Sequence, residues 1–306
     1  MCGIFGNLLK DTSLNIDENK LRLLEVKKNL EHRGPDDSGI EFFDIIDKNS
    51  GSKSFLSLGH TRLSIIDLSD KGHQPMRSND NRFIISYNGE IYNYKELRNE
   101  LQSKGHIFRS ESDTEVLLAV WSEWGIKGLQ RLVGMFAFVV YDSVKQNITL
   151  VRDAFGIKPI FYKIDNNSIY FASELPALLK LIPEKPNLDL QKSYDYLVHN
   201  DYDSGSGTFI DGVQQLSPAN YLVFDLKSFI ASEPQAWWTP DLKTRTKLSF
   251  EESANKLREL FLESIKLHLR SDVPIGITLS GGIDSSAIAS SVRYLYPNMP
   301  INTFSF

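Results

Sequence analysis

The chain begins Met1-Cys2-Gly3-Ile4-Phe5-Gly6, which places its single cysteine directly after the initiator methionine. A small second side chain allows Met1 to be removed, and removal would leave a thiol and a free α-amine on one residue. The ordinary pKa values are roughly 7.7 to 8.0 for the amine and about 8.5 for the thiol, so the amine can take the sulfur's proton without a histidine. A cysteine at position 2 can also be chance, but the β-rich run and its glycines, which permit close backbone approach, favour a nucleophile at the start of a strand.

Beyond this stretch, β-rich runs dominate the chain to about residue 175. They are bounded by Gly, Asn, Asp or Ser and cover 3–9, 39–46, 55–60, 83–88, 135–142, 148–153 and 168–172. Amphipathic helices are predicted over 17–31, 93–104 and 113–124, with Asn93 as a candidate N-cap and Ser112 and Glu115 as a candidate capping box. The pattern predicts two sheets with helices packed outside them.

The pattern changes from about residue 187. A helix over 188–199, a flexible Gly/Ser loop over 204–207, a strand over 221–225 and a polar connection over 243–247 place a domain boundary between 190 and 245. A long helix then begins at Ser249, where Glu252 completes a capping box. A strand over 275–279, a Gly-containing turn over 280–286, a helix over 287–296 and a strand over 301–306 predict the start of a βαβ unit.

Size and composition define the class of protein. At roughly 150 residues per domain, 306 residues suggest two domains of ordinary globular composition. The net charge is -5 and the basic residues are scattered, which argues against nucleic acid as a partner. One cysteine excludes an intramolecular disulfide, and neither a membrane-spanning run nor a signal peptide is found, so we expect a cytoplasmic protein without membrane partners. Because one βαβ unit cannot cover both faces of a parallel sheet, we expect the second domain to be cut short.

Eight blocks in order along the chain resemble the glutamine-dependent asparagine synthetases, whose amino-terminal half is a class II glutamine amidotransferase domain. The blocks are Met1-Cys2-Gly3-Ile4-Phe5-Gly6, His32-Arg33-Gly34-Pro35-Asp36, His60-Thr61-Arg62-Leu63-Ser64-Ile65, Gly72-His73-Gln74-Pro75-Met76, Asn88-Gly89-Glu90-Ile91-Tyr92-Asn93, Ser112-Asp113-Thr114-Glu115, Phe155-Gly156-Ile157-Lys158-Pro159 and Ser280-Gly281-Gly282-Ile283-Asp284-Ser285. One departure is Ala154, where relatives often have Arg.

The resemblance implies a fold and a domain plan. The fold is an α+β N-terminal-nucleophile hydrolase fold with four αββα layers, followed by the start of an α/β adenine-nucleotide-binding domain with a parallel sheet. We expect a glutaminase domain over 2–190, a connecting region over 191–245 and an incomplete ATP-dependent synthetase domain over 246–306.

The family's glutaminase site maps onto the first domain. Attack by Cys2 on the glutamine amide produces an oxyanion, for which the family uses the Asn88 side chain and the Gly89 backbone N–H. By itself, Asn88-Gly89 after a strand ending at Tyr87 is more typical of a hairpin turn, and both interpretations can hold together.

Both ends of glutamine also need partners. Arg62 offers a planar fork for the α-carboxylate, although a lone arginine is usually a solvated surface residue. The family binds the α-ammonium through Asp113, helped by backbone groups near Gly89 and Glu90. The resemblance implies that the remaining substrate wall is formed by Leu63, Ser64, Ile65 and Ile66.

The Gly-containing turn is a candidate phosphate cradle, because it lies between an apolar strand and a helix. It resembles the loop of enzymes that cleave ATP between the α and β phosphates, and the implied ATP-binding residues are Leu279, Ser280, Gly281, Gly282, Asp284, Ser285 and Phe306. Mg²⁺ is expected to bridge the phosphates, with protein ligands that the sequence does not identify. The histidines show no metal-ligand spacing, and we assign no metal to them.

The implied reaction is asparagine synthesis from aspartate, ATP and glutamine, with ammonia passing from Cys2 to β-aspartyl-AMP. One alternative is a paralogous amidotransferase that aminates another carboxylate, such as a cell-surface sugar acid. Another is a non-catalytic, regulatory glutamine-binding module, which Cys2, Asn88 and Gly89 together disfavour. A homodimer is among the assemblies that the sequence allows.

Overall fold

A computed structural model describes residues 1–10, 16–46, 53–202 and 204–305. Two compact units are formed, one from Met1–Ser64 with Ser69–Thr239 and the other from Ile65–Leu68 with the chain from Pro240 onward. Phe306, a predicted ATP contact, lies outside the described residues.

The first unit contains most of the strands and helices. In chain order they are β1 (Gly3–Lys10), α1 (Ile16–Asn29), β2 (Asp37–Ile46), β3 (Lys53–Arg62), β4 (Met76–Arg77), β5 (Phe83–Ile91), α2 (Tyr94–Ser103), α3 (Asp113–Trp124), β6 (Gly134–Asp142), β7 (Asn147–Arg152), β8 (Phe161–Asp165), β9 (Ser168–Ala172), α4 (Leu175–Leu181), α5 (Leu190–His199), β10 (Val213–Gln215), β11 (Asn220–Asp225), β12 (Ile230–Ala231) and β13 (Gln235–Ala236).

These strands form two antiparallel sheets. The first has the order β10-β8-β9-β1-β3-β2, with Gly3 opposite Thr61 and Phe5 opposite Ala172. The second has the order β12-β11-β7-β6-β5-β4, with β13 also paired to β11 and with Asn88 opposite Ala137.

Alternation along the strands produces two cores. In β1, Ile4 and Leu8 belong to a core shared with residues of the second sheet such as Val139 and Leu150. Phe5 and Leu9 belong instead to a core with α1 and α4. Helix α3 covers the second sheet, where the Trp121 and Phe138 rings make a T-shaped contact with their centroids 5.6 Å apart. The resulting layers are helix, sheet, sheet, helix, which confirms the predicted αββα architecture.

The predicted connecting region 191–245 is largely structured, and it continues the first unit as far as Thr239. Strand β10 pairs with β8, and β11 pairs with β7. The Trp237 indole N–H also donates to the Arg152 carbonyl at 2.9 Å. These partners lie far away in the chain, so local composition does not reveal them.

The second unit contains α6 (Phe250–His268), β14 (Gly276–Thr278), α7 (Ile283–Leu295) and β15 (Asn302–Phe304). The predicted capping box of Ser249 and Glu252 is present, and β14 pairs with β15 in parallel. Helix α7 begins at Ile283, so the Gly-containing turn is shorter than predicted. Of the helices in the described ranges, none is both long and apolar enough to cross a membrane.

Candidate active site

The Cys2 thiol lies at the start of β1, beside the end of β3. Its Sγ accepts a hydrogen bond from the Leu63 N–H at 3.4 Å and lies 3.6 Å from the Leu63 carbonyl, to which the thiol can donate. Burial raises the pKa of the Cys2 thiol, and the hydrogen bond with Leu63 opposes that rise. Gly3 allows the start of β1 to lie close to β3, because a Cβ on Gly3 would lie 2.6 Å from Thr61 Oγ1.

The start of the chain is held by Arg33. Arg33 Nε donates to the Cys2 carbonyl at 2.9 Å, and Arg33 Nη1 pairs with Glu174 at 2.8 Å. The α-amine, which is on Met1 in this structure, has a lowered pKa; burial is the main cause, and the positive charges of Arg33 and Lys158 add to it. An amine with a lowered pKa is better suited to act as a base at neutral pH.

Asn88 and Gly89 lie inside β5, so the hairpin interpretation of this dipeptide is wrong. The strand runs on to Ile91, with Gly89 opposite Phe136 in β6. A Cβ on Gly89 would lie 2.2 Å from the Met135 carbonyl oxygen, so only glycine fits this close pairing. Asn88 is 1% exposed. Its buried Nδ2 has no hydrogen-bond partner among the described residues, which leaves it as an unused donor.

Strand alternation determines which sheet face each predicted site residue occupies. Cys2 is two residues before Ile4, Arg62 is four residues after Leu58, and Asn88 is four residues after Ile84; these three apolar residues line the core between the sheets. Residues separated by two or four positions in a strand share a face. Arg62 and Asn88 therefore occupy strand positions on the inner faces of the two sheets, and Cys2 directly precedes β1, two residues before the inward-facing Ile4.

Arg62 ends β3 and is buried, whereas a lone arginine is usually exposed. Its Nη1 donates to the Ser69 carbonyl at 2.8 Å. Its guanidinium packs against Gly72, where a Cβ would lie 2.0 Å from Nη2. The guanidinium is thus held between the loop after β3 and a glycine that leaves room for it.

Asp113 occupies the first turn of α3 and is buried. Its Oδ2 accepts hydrogen bonds from the Tyr87 hydroxyl and the Ile91 N–H, both at 2.9 Å. Burial raises the pKa of the Asp113 carboxyl. A buried carboxylate of this kind is stabilised by a cation that reaches it.

The helix start at Asp113 differs from the predicted capping box. Ser112 does cap α3, since its hydroxyl accepts from the Thr114 N–H at 3.1 Å. Glu115 does not return to Ser112; its carboxylate accepts from the N–H groups of Arg109 and Ser110. Asn93 precedes α2 without a side-chain cap, because its amide bonds to Arg131 and Val133.

The other predicted glutamine contacts are divided between the units. Leu63 and Ser64 belong to the first, and the Ser64 N–H donates to Asp36 Oδ2 at 2.7 Å. Ile65 and Ile66 belong to the second, where the Ile65 carbonyl accepts from the Asp272 N–H at 2.9 Å. The Glu90 side chain is half-buried, and burial raises the pKa of its carboxyl.

Sequence inspection missed several residues that support the site. His60 Nε2 bonds to the Tyr87 carbonyl at 2.9 Å, and burial lowers the pKa of His60 to about 3. Gln74 Oε1 accepts from the Tyr87 N–H at 2.7 Å. Tyr87 therefore connects both residues to Asp113. His60 and Gln74 both lie in the sequence blocks that resemble the family. The sequence alone did not show that their side chains are buried beside Tyr87.

In the second unit the Gly-containing turn is an open loop before α7. Gly281 has φ +81° and no atoms within 4 Å of a Cβ built there. The Ser280 N–H lies 3.3 Å from Ser285 Oγ, and Leu279 before the loop donates to the Phe304 carbonyl at 2.8 Å. Gly282 is the N-cap and makes no side-chain cap bond, while Asp284 lies in the first turn of α7.

Two antiparallel sheets between helix layers form the αββα arrangement of the N-terminal-nucleophile hydrolase fold. Two solved structures support the fold. They are a glutamine phosphoribosylpyrophosphate amidotransferase from B. subtilis and an allosteric regulatory enzyme of purine biosynthesis, with TM-scores of 0.54 and 0.54 and identities of 16% and 17%. Each match covers 99% of this chain and 65% of the other.

Residues 1–238 match the glutamine amidotransferase domain family, to which the chain belongs. Residues 256–306 match part of the asparagine synthase family. The chain is 34% identical to an asparagine synthetase (glutamine-hydrolysing) of Bacillus subtilis and 34% identical to a putative one of Methanocaldococcus jannaschii, each over 100% of this chain. An amidase of Gibberella zeae is 33% identical over 86% of this chain. The chain spans 45% and 59% of the two synthetases, about half their length.

Proposed function

We propose that the first unit hydrolyses glutamine, with Cys2 as the nucleophile. The observation that carries this proposal is the Cys2 thiol at the start of β1, in contact with the residue that follows Arg62. Removal of Met1 would put the α-amine on Cys2 itself. The amine would then take the proton from sulfur, and the thiolate would attack the side-chain amide carbon of glutamine.

The oxyanion that forms needs donors that are already in place. The Asn88 Nδ2, which none of the described residues engages, and the Gly89 backbone N–H would supply them. The C–N bond then breaks, and ammonia leaves with the proton that the amine held. Water attacks the resulting thioester, which releases glutamate and restores the thiol.

The ends of glutamine would bind to groups of opposite charge. The Arg62 guanidinium would hold the α-carboxylate. Asp113, with backbone groups near Gly89 and Glu90, would hold the α-ammonium, whose charge would offset the cost of burying the Asp113 carboxylate. Leu63, Ser64, Ile65 and Ile66 would complete the substrate wall.

For the whole protein we propose asparagine synthesis, in which ammonia attacks β-aspartyl-AMP made from aspartate and ATP. The open loop over 280–286 supports the ATP part, because a loop before a helix can present backbone N–H groups to phosphates. Leu279, Ser280, Gly281, Gly282, Asp284, Ser285 and Phe306 remain the proposed ATP-binding residues. Among the described residues no group of three His, Cys, Asp or Glu side chains could hold a metal ion, so the protein ligands of Mg²⁺ are not assigned.

A second candidate function is amination of a different carboxylate. The chain is 33% identical to the Gibberella zeae amidase and 34% identical to the Bacillus subtilis synthetase, so similarity of this degree does not select one acceptor. The two candidates differ in which acceptor drives conversion of ATP to AMP by the full-length protein. Turnover that depends on aspartate supports the synthetase, whereas turnover that depends only on a sugar acid contradicts it.

The first experiment measures glutamate released from glutamine by the 306-residue chain and by Cys2→Ala. Intact mass reports whether Met1 has been removed, and circular dichroism reports folding. We expect release that the substitution abolishes. Glutamine binding without release by a folded, processed protein would contradict catalysis and support the binding-module alternative.

A further inference from the structure

Strand β5 has an open edge at the candidate site. Its neighbour β4 pairs with it only at Ile84 and Ile85, so no strand among the described residues lies along this edge beyond Ile85. Side chains take the place of a strand at Tyr87. Gln74 Oε1 accepts from the Tyr87 N–H at 2.7 Å, and His60 Nε2 donates at 2.9 Å to the Tyr87 carbonyl, which can only accept. Two buried side chains therefore hold the strand edge at Tyr87.

The same edge carries the Gly89 N–H, one of the proposed oxyanion donors. In an antiparallel pair, the N–H and C=O groups of alternate residues face the partner strand, and those of the residues between them face away. Tyr87, Gly89 and Ile91 belong to one such alternate set. Phe136 lies opposite Gly89, and its N–H and carbonyl both bond to Asp153, so these groups face away from Gly89. The Gly89 N–H therefore points to the open edge of β5.

Gln74 also reaches the helix that carries the proposed ammonium ligand. Its Nε2 donates at 3.2 Å to the hydroxyl of Thr114, which follows Asp113 in the first turn of α3. Asp113 in turn accepts from the Ile91 N–H at 2.9 Å, at the end of β5. Gln74 and Thr114 are each only 3% exposed, so their hydrogen bond is shielded from water. Gln74 thus links the edge of β5 to the start of α3.

We propose that Gln74 is a positioning residue, which holds the oxyanion donors of β5 at a fixed distance from Asp113 on α3. The proposal rests on the proposed glutaminase function. Glutamine would reach Asp113 with its α-ammonium and the oxyanion donors with its side-chain carbonyl, so the separation of strand and helix must match the length of the substrate. A displacement of about 1 Å can lower the rate roughly a hundredfold. A side chain that bonds to both elements would control this separation.

Amide hydrogen exchange tests this link without requiring activity. Gln74→Met removes both hydrogen bonds of the side chain, and Thr114→Val removes only the bond to α3. We expect the Ile91 amide to exchange at least roughly fivefold faster in both variants, because its bond to Asp113 depends on where α3 begins. The Asn88 amide faces β6 and serves as the internal reference for opening of the whole sheet.

Two further variants are the controls for exchange. Thr114→Ser keeps the hydroxyl and should restore wild-type exchange at Ile91. Gln214→Met removes a glutamine that bonds to the Tyr162 hydroxyl at 2.7 Å in β10, and it should leave Ile91 unchanged. Equal acceleration of the Ile91 and Asn88 amides would mean general destabilisation and would overturn the proposal, as would unchanged exchange at Ile91.

The same variants are then assayed for glutamate release. We expect kcat to fall roughly 10- to 100-fold in Gln74→Met with little change in KM. Because the donor is then already misplaced, adding Asn88→Asp should lower kcat further by less than about tenfold. Losses that multiply fully in the double variant contradict a positioning role. If the wild type releases no glutamate, the proposed function fails, and the exchange measurement still decides whether Gln74 fixes β5 to α3.

Discussion

At the scale of single residues, the candidate site contains a buried hydrogen-bond donor, the side-chain amide of Asn88. Asn88 Nδ2 is buried and has no hydrogen-bond partner among the residues that the structure describes, although buried amides nearly always form hydrogen bonds. Leaving a buried donor unpaired costs roughly 1–3 kcal/mol. That cost is accepted where a ligand or a transition state supplies the missing acceptor.

Asn88→Asp tests this donor with almost no change in shape. We expect kcat for glutamine hydrolysis to fall roughly 10²- to 10³-fold with little change in KM, as for loss of one oxyanion donor. Steady-state kinetics of glutamate release measure both kcat and KM. The control is Asn79→Asp, on an exposed amide that bonds to the Ile107 carbonyl. A kcat within twofold of the wild type would refute the role of Asn88.

Gly72→Ala tests the position of Arg62. The added Cβ would lie 2.0 Å from Nη2 and would displace the guanidinium. Hydrogen bonds to charged groups contribute about 1.5–3 kcal/mol, so we expect KM for glutamine to rise at least about tenfold. Gly207→Ala is the matched control, because its Cβ would meet only the flexible Lys192 side chain, at 3.2 Å. Equal KM values in the two variants would argue against Arg62 as a substrate contact.

At the scale of elements, the course of β5 decides how the site is built. The strand continues through Asn88-Gly89 because its partner β6 supplies hydrogen bonds as far as Gly134. Its end at Ile91 then places a backbone N–H on Asp113, at the start of α3. One strand thus positions both the proposed oxyanion donors and the proposed ammonium ligand.

Two helix N-caps distinguish an effect on stability from an effect on glutamine binding. Ser112→Ala and Ser249→Ala each remove an N-cap hydroxyl, and each should lower stability by about 1 kcal/mol in urea unfolding. Only the Ser112 cap precedes a proposed substrate residue. We expect KM for glutamine to rise in Ser112→Ala, by up to about fivefold, and to be unchanged in Ser249→Ala. A rise in both would mean that KM follows stability alone.

At the scale of the whole molecule, the two-sheet core encloses a histidine that stays neutral. Burial holds the pKa of His60 at about 3 in the folded protein, against an ordinary value of 6.5. The unfolded chain therefore binds a proton that the folded one refuses. Between these two pH values, stability falls as the pH falls.

Replacing His60 should abolish the part of the pH-dependent loss of stability that this histidine causes. We expect the wild type to lose up to about 1.4 kcal/mol of stability per pH unit from this group as the pH falls below 6.5. Because carboxylates also titrate there, the measurement is the difference in urea stability between the wild type and His60→Asn at several pH values. His199→Asn, on an exposed histidine of the same unit, should parallel the wild type. A difference that does not change with pH would contradict the prediction.

Much of this architecture was predictable because its signals are local. Alternating apolar residues predict β1, β6 and β9 within a few positions, and the capping box at Ser249 predicts the start of α6. The cysteine after Met1 predicts the nucleophile for the same reason, since thiol and amine would belong to one residue. A pattern of period two or 3.6 requires no knowledge of distant partners.

The amino-acid sequence by itself therefore determined the longer strands and helices, the layers and the candidate chemical groups, but it did not predict β4, β8 or α4. Tertiary structure alone decided that Asn88-Gly89 is strand and not turn, and that β10 to β13 extend the sheets of the first unit. It alone showed that His60 is buried and bonded to the Tyr87 carbonyl, next to Asn88 in the chain. These outcomes depend on burial and on strand pairing between residues that lie far apart in the chain. Burial contributes free energy only when the folded chain brings those residues into contact.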